Sequence, residues 1–236
     1  MKLYGKKALL DNIKNSKIVR LINNDKKIID LLKLNNVNYE FVKKEYFNYL
    51  DKSLNHQGIE IETFENKKFE NLEEFIKNQN EEKKSIVVIL DSILDPYNLG
   101  SIIRTCESFK VDAIIYKKDN QVQINELVIK TSAGAIANIS MIRVINLSST
   151  IELLKKNKYW IYASVLEKDA KEYDKIEYDN KTCLILGNEQ NGISKGLIKE
   201  SDFLITIPTY GKTSSLNVAI ACGILVSRIC RQYSKF

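Results

Sequence analysis

The chain has 236 residues, 44% of them hydrophobic and 28% charged, with a formal net charge of +6. This composition excludes a disordered or fibrous chain, and the length suits one ordinary domain plus a small one. Four cysteines without a CxxC pair and a single histidine speak against a secreted disulfide scaffold and against a His/Cys zinc site.

The longest apolar run, 218–226, is too short to span a bilayer, and the charged start MKLYGKKALL does not read as a signal peptide. The expected location is the reducing cytoplasm. The positive excess sits at the front: residues 1–55 hold 12 basic and 6 acidic side chains. A basic small domain points to a polyanion partner, most simply nucleic acid, although a solvated lysine surface gives the same count.

In chain order, GKKALLDNIKN spaces Ala8, Leu9 and Ile13 as an amphipathic helix, and KIVRLI follows as a short strand. DKKIIDLLKLNN is a helix capped by Asp25 and stopped at Asn35-Asn36. VNYEFVKK alternates as a strand, EYFNYLDKSLN reads as a helix, and GIEIETF restores period two. This is a small α/β unit over residues 1–65. Residues 66–84 are polar and charged, and are expected to form a linker with room for one short helix.

From Ser85 the pattern changes. IVVIL is a continuous β-branched run, as expected of a strand buried on both faces. Further strands are expected at 113–116, 141–145, 160–165, 183–187 and 203–208. Helices are expected at 98–109, 123–132, 148–157 and 194–201, with a long apolar one over 215–233. The alternation predicts a mostly parallel sheet with helices on both faces over residues 85–236.

Three segments at strand ends could carry chemistry, since ligands bind at that edge of open α/β sheets. The first, LDSILDPYNLGSIIRT, places Asn98, Gly100 and Arg104 after a strand. Read plainly, Asn98 caps a helix, Gly100 allows close packing and Arg104 makes a surface pair. The second, LILGNEQNGIS, has Gly187, Glu189 and Gly192. It superficially resembles a phosphate loop, but Ile193 stands where the lysine belongs and Glu189 would repel phosphate, which excludes a nucleoside triphosphatase. The third, IPTYGKTSSLNVAIACGI, leads from a strand through Pro208 to a helix opening at Ser215-Leu216-Asn217, whose first backbone N–H groups could grip a ligand.

In this order the segments resemble the SpoU-type ribose 2′-O-methyltransferases of the SPOUT superfamily. N-x-G-x-x-x-R is matched by Asn98, Gly100 and Arg104; G-x-E-x-x-G by Gly187, Glu189 and Gly192; S-L-N-V by Ser215 to Val218. Ser132-Ala133-Gly134-Ala135 looks like the family's SAGA stretch. The resemblance covers nearly all of 85–236. GKKALLDNI and NHQGI at 55–59 are similar to the amino-terminal, L30e-like RNA-binding domain of enzymes that methylate a guanosine of bacterial 23S rRNA. Thr209 follows Pro208 where many relatives have Met, a departure within the cofactor-lining stretch.

The resemblance implies a small L30e-like RNA-binding domain followed by an α/β catalytic domain with a trefoil knot. It implies S-adenosyl-L-methionine as cofactor, RNA as partner, a homodimer, and neither metal nor membrane. By the same analogy Gly187, Ile207 and Leu216, with Leu186 and Pro208 beside them, contact the cofactor. Arg104 leads the catalytic set, which Asn98, Glu189, Ser215 and Asn217 complete by positioning the reactants. His56, in the HQG element, is expected to be structural or close to RNA. Cys106 and Cys183 are expected to be small buried fillers. A transfer RNA enzyme of the same family, a non-catalytic RNA-binding relative and a plain ligand-binding α/β protein remain the alternatives.

Overall fold

The computed structural model describes residues 2–13, 16–48, 56–63, 69, 71–80, 83–167, 169–212 and 215–233. Contacts divide the chain into two units, Met1–Lys67 and Lys68–Phe236.

The first unit contains β1 (Lys2–Tyr4), α1 (Lys6–Asn12), β2 (Ser16–Leu21), α2 (Lys26–Leu34), β3 (Asn38–Phe41) and β4 (Ile59–Thr63). The sheet order is β1-β4-β2-β3, with β4 antiparallel to β1 and β2 and with β2 parallel to β3. A parallel pair needs a crossover, and α2 supplies it. Asp25 caps α2 by accepting from the N–H groups of Lys27 and Ile28, and Asn36 ends it in the left-handed region at φ 54°. Ile28, Ile29 and Leu32 pack on Leu9, Val19, Leu21 and Ile61.

The helix expected over EYFNYLDKSLN is a single 3₁₀ turn, Lys44–Phe47; residues 49–55 lie outside the described residues. Aromatic side chains are weak helix formers, and here Phe47 is buried with its ring stacked on His56 at 4.5 Å. The Nδ1 of His56 accepts the N–H of Gly58 at 2.9 Å, so the ring is held by the turn it belongs to.

The second unit carries α3 (Leu72–Lys77), β5 (Ser85–Asp91), α4 (Pro96–Ser108), β6 (Ala113–Lys117), α5 (Glu126–Thr131), β7 (Ser140–Val144), α6 (Leu147–Lys156) and β8 (Trp160–Ser164). It continues with β9 (Lys171–Glu172), β10 (Lys181–Gly187), α7 (Lys195–Glu200), β11 (Phe203–Thr206) and α8 (Val218–Tyr233). The seven strands run parallel in the order β7-β6-β5-β10-β8-β11-β9. Every residue of β5 is buried. Val88 and Leu90 face the core under α4, α5 and α8, while Val87 and Ile89 face the core under α3 and α6. This two-sided burial is the reason for the β-branched run. Within the polar stretch before β5, Phe69, Leu72 and Phe75 are buried in this second core.

The strand order reverses between β5 and β10, which makes their carboxyl ends the switch point where a crevice opens. The register sets Gly187 beside Asp91 at that edge. Two expectations are corrected here. Asp95, not Asn98, caps α4, accepting from the N–H groups of Tyr97 and Asn98, because Pro96 fixes the first helical position. At α8 the helix begins at Val218, and Asn217 caps it by accepting from Ala219 N (2.9 Å) and Ile220 N (3.3 Å), so Leu216 lies outside the helix. No helix among the described residues is long and apolar enough to cross a membrane.

Candidate functional site

The loop after β10 is built by its glycines and by Asn188. A Cβ on Gly187 would lie 2.3 Å from the carbonyl carbon of Gly192, so no other residue fits that approach. Gly192 itself sits at φ 66°. The backbones of Asn188 and Gly192 exchange hydrogen bonds of 3.1 and 2.9 Å. The Asn188 side chain accepts from the N–H groups of Gln190 (2.8 Å) and Asn191 (3.1 Å) and donates to the Ser92 carbonyl (2.9 Å). Asp91, nearly buried, accepts the N–H of Ser194 at 2.8 Å. The loop is thus pinned to the end of β5. Ile193, in the place of a phosphate-loop lysine, is buried.

Freed from capping, Asn98 reaches outward and joins the three segments. Its Nδ2 donates to Glu189 Oε1 at 2.5 Å, and its Oδ1 accepts from Asn217 Nδ2 at 2.9 Å. One hydrogen-bonded chain therefore runs from the glycine loop through α4 to the start of α8. Gly100 makes the close packing that places α4, since a Cβ there would lie 2.5 Å from Thr131 Cβ. Arg104 is not part of the chain. Its side chain is exposed on α4, and its guanidinium has no hydrogen bond or ion pair among the described residues.

Beside this chain opens a cleft of about 450 Å³, within the size range of small-molecule sites. Leu186, Gly187, Ile207 and Leu216 line it, as do Glu189 and Ser215; Pro208, Asn98, Asn217 and Arg104 do not. Sequence reasoning missed the wall formed after β8, Ser164 to Glu167, together with Ile198 and Ala221. The signal was available, because the WIYASV strand ends at the same edge as the others. Among the described residues the lining carries two carboxylates, Glu167 and Glu189, and no basic side chain. A cleft of this kind favours a ligand with apolar surface and positive charge.

Cys106 and Cys183 are buried away from solvent. Cys106 meets Cys222 at 3.8 Å inside the α4–α8 contact, and that hydrogen bond and burial both raise its pKa well above the ordinary range. Burial likewise raises Cys183. Both are fully buried fillers.

A parallel α/β sheet with a cleft at the carboxyl ends of β8, β10 and β11, lined by a glycine loop and the start of the last helix, is the architecture of the SPOUT methyltransferases. The SpoU rRNA methylase family profile matches residues 85–227, and the profile for RNA 2′-O ribose methyltransferase substrate binding matches residues 2–69. The chain belongs to the SpoU methylase family. It is 38% identical over 229 residues to the uncharacterized tRNA/rRNA methyltransferase MG252 of Mycoplasma genitalium, covering 95% of this chain and 94% of that one. Among solved structures, the TrmH/SpoU tRNA modifying enzyme of A. aeolicus matches with a TM-score of 0.59 at 27% identity, covering 68% of this chain and 81% of that one. The AdoMet-bound rRNA methyltransferase of Sinorhizobium meliloti shares the fold with a TM-score of 0.64 at 22% identity, over 99% of this chain and 88% of that one.

Proposed function

We propose that the protein is an S-adenosyl-L-methionine-dependent RNA methyltransferase that modifies a ribose 2′-hydroxyl, with a guanosine of 23S rRNA as its substrate. The observation that carries this reading is the Glu189–Asn98–Asn217 chain at the rim of the cleft. It gathers one polar residue from each of the three motifs at one place.

The residues fit the cofactor. Leu186, Ile207 and Leu216 offer apolar surface to an uncharged adenine, and Gly187 lets a ligand approach the backbone. Glu167 and Glu189 complement a cationic ligand. When bound, S-adenosyl-L-methionine supplies a methyl group activated by its sulfonium. The chain's own residues must then bring the 2′-oxygen into line, and fixed orientation of this kind lowers a barrier by about 7–11 kcal/mol in the best cases. The 2′-hydroxyl proton would pass to solvent, because the Arg104 guanidinium is already protonated.

Arg104 stands exposed on the helix that presents Asn98, unpaired among the described residues and free to engage RNA. Because a guanidinium stays protonated in proteins, its role is to hold the neighbouring phosphate and the developing negative charge on the ribose oxygen. Asn98, Glu189, Ser215 and Asn217 position that encounter, and Pro208 follows the cleft-lining Ile207. In the first unit, Lys26, Lys27, Lys33, Lys43 and Lys44 are exposed and available to phosphates.

The test is Arg104→Ala. Methyl transfer to RNA should fall at least a hundredfold while the cofactor dissociation constant stays within about twofold. Near-normal turnover removes Arg104 from the site. The 27% identity to a tRNA modifying enzyme favours transfer RNA as the second substrate to assay.

A further inference from the structure

A second cavity of about 320 Å³ opens on the other side of the 188–192 loop. Asn188, Asn191 and Gly192 line both it and the cofactor cleft, so one loop separates the two. Its remaining walls come from Asp91 at the end of β5, from the β5–α4 connection that leads to Asn98, from Asn120 in the β6–α5 connection and from Ser194. These walls are braced. Gln121 Oε1 accepts the N–H of Ile93 at 2.9 Å, and the Ile93 carbonyl accepts the N–H of Val122 at 2.9 Å. Three lining residues hold left-handed backbone, Ser92 at φ 65°, Asn120 at φ 54° and Gly192 at φ 66°. Left-handed backbone at non-glycine positions is costly and concentrates at ligand sites.

We propose that this cavity takes the base of the nucleotide being methylated, and that the base is guanine. The inference rests on the methyltransferase reading above and deepens it. Asp91, 7% exposed, is one of the residues lining the cavity. It accepts from Ser194 N at 2.8 Å and Ser92 Oγ at 3.2 Å, and a carboxylate has about four acceptor sites, which leaves capacity for a ligand. A carboxylate repels phosphate but accepts from adjacent N–H donors. Guanine alone among the four bases presents such a pair, N1–H and the N2 amino group. The Asn120 and Asn191 carboxamides have no side-chain partner among the described residues and can donate to its O6 and N7 acceptors. Leu94, 59% exposed, gives its face an apolar surface. Single-stranded RNA bases are read in this way, splayed out and bonded along their edges.

The test uses a transcript carrying the nucleotide that the wild-type enzyme methylates, and the same transcript with inosine there, which lacks only the N2 amino group. Wild type should show a KM for the inosine transcript at least tenfold higher. Asp91→Asn should lose most of that difference. Leu94→Ser and Asn120→Asp, at residues that do not line the cofactor cleft, should raise KM for the guanosine transcript at least fivefold with cofactor affinity unchanged. Equal KM for both transcripts in wild type, or a mapped target that is a pyrimidine, overturns the base subsite and leaves methyl transfer standing. Absence of transfer to any RNA by wild type overturns both.

Discussion

Asn98 uses both ends of its carboxamide, and this decides what substitutions there will do. Asn98→Ala removes both hydrogen bonds, each worth about 1 kcal/mol net. Asn98→Asp keeps the shape but sets a carboxylate against Glu189, whose Oε1 lies 2.5 Å from the present amide nitrogen. The aspartate variant should therefore lose more kcat/KM than the alanine variant, by at least tenfold, and a side-by-side transfer assay checks the order. An aspartate variant as active as wild type would mean the chain plays no part. At this scale the motif residues were legible because glycine spacing has steric causes, as at Gly187 and Gly192. The cap of α4 was misread because Asp95 and Asn98 are both good caps three residues apart. Pro96 decides between them, and its preference for the first helical position was the overlooked signal.

The packing of α8 on α4 makes a prediction about the thiols. Cys106, Cys183 and Cys222 are fully buried, while Cys230 is partly exposed with its pKa pushed up by burial to about 11. A raised thiol pKa leaves little thiolate at neutral pH, and the fraction grows as pH rises towards it. Native protein should thus react with a thiol reagent slowly, at Cys230 alone, and faster as pH increases; denatured protein should label all four. Rapid native labelling of Cys106 would contradict the packed α4–α8 contact. The inner strands were legible because burial on both faces demands long apolar runs. Short edge elements were not: β9 is 2 residues and β1 is 3, and pairing partners rather than their own sequence define them. The start of α8 was placed early because Ser215 and Asn217 are both good caps, and it is the Asn217 side chain that accepts from Ala219 N.

At the scale of the molecule, composition and alternation gave the α/β class and two units, since strand and helix periods differ along the chain. The interleaving of β10 between β5 and β8 was beyond any periodicity, because strand order depends on threading and not on local pattern. A knot expected there rests on family resemblance alone. We propose that a homodimer would use Tyr97 (59% exposed) and Ile220 (56%), which stand at the starts of α4 and α8 joined by the Asn98–Asn217 hydrogen bond. Wild type should sediment as a dimer and Ile220→Asp should shift it towards monomer. A wild-type monomer at micromolar concentration would exclude this assembly.

The most direct measurement is the chemical identity of the product. The enzyme is incubated with methyl-labelled S-adenosyl-L-methionine and protein-free ribosomal or transfer RNA, the RNA is digested to nucleosides, and the labelled species is identified. Label in 2′-O-methylguanosine from 23S rRNA is the expected result. Label on a base, with the ribose unmodified, would contradict the assignment of this site to ribose methylation.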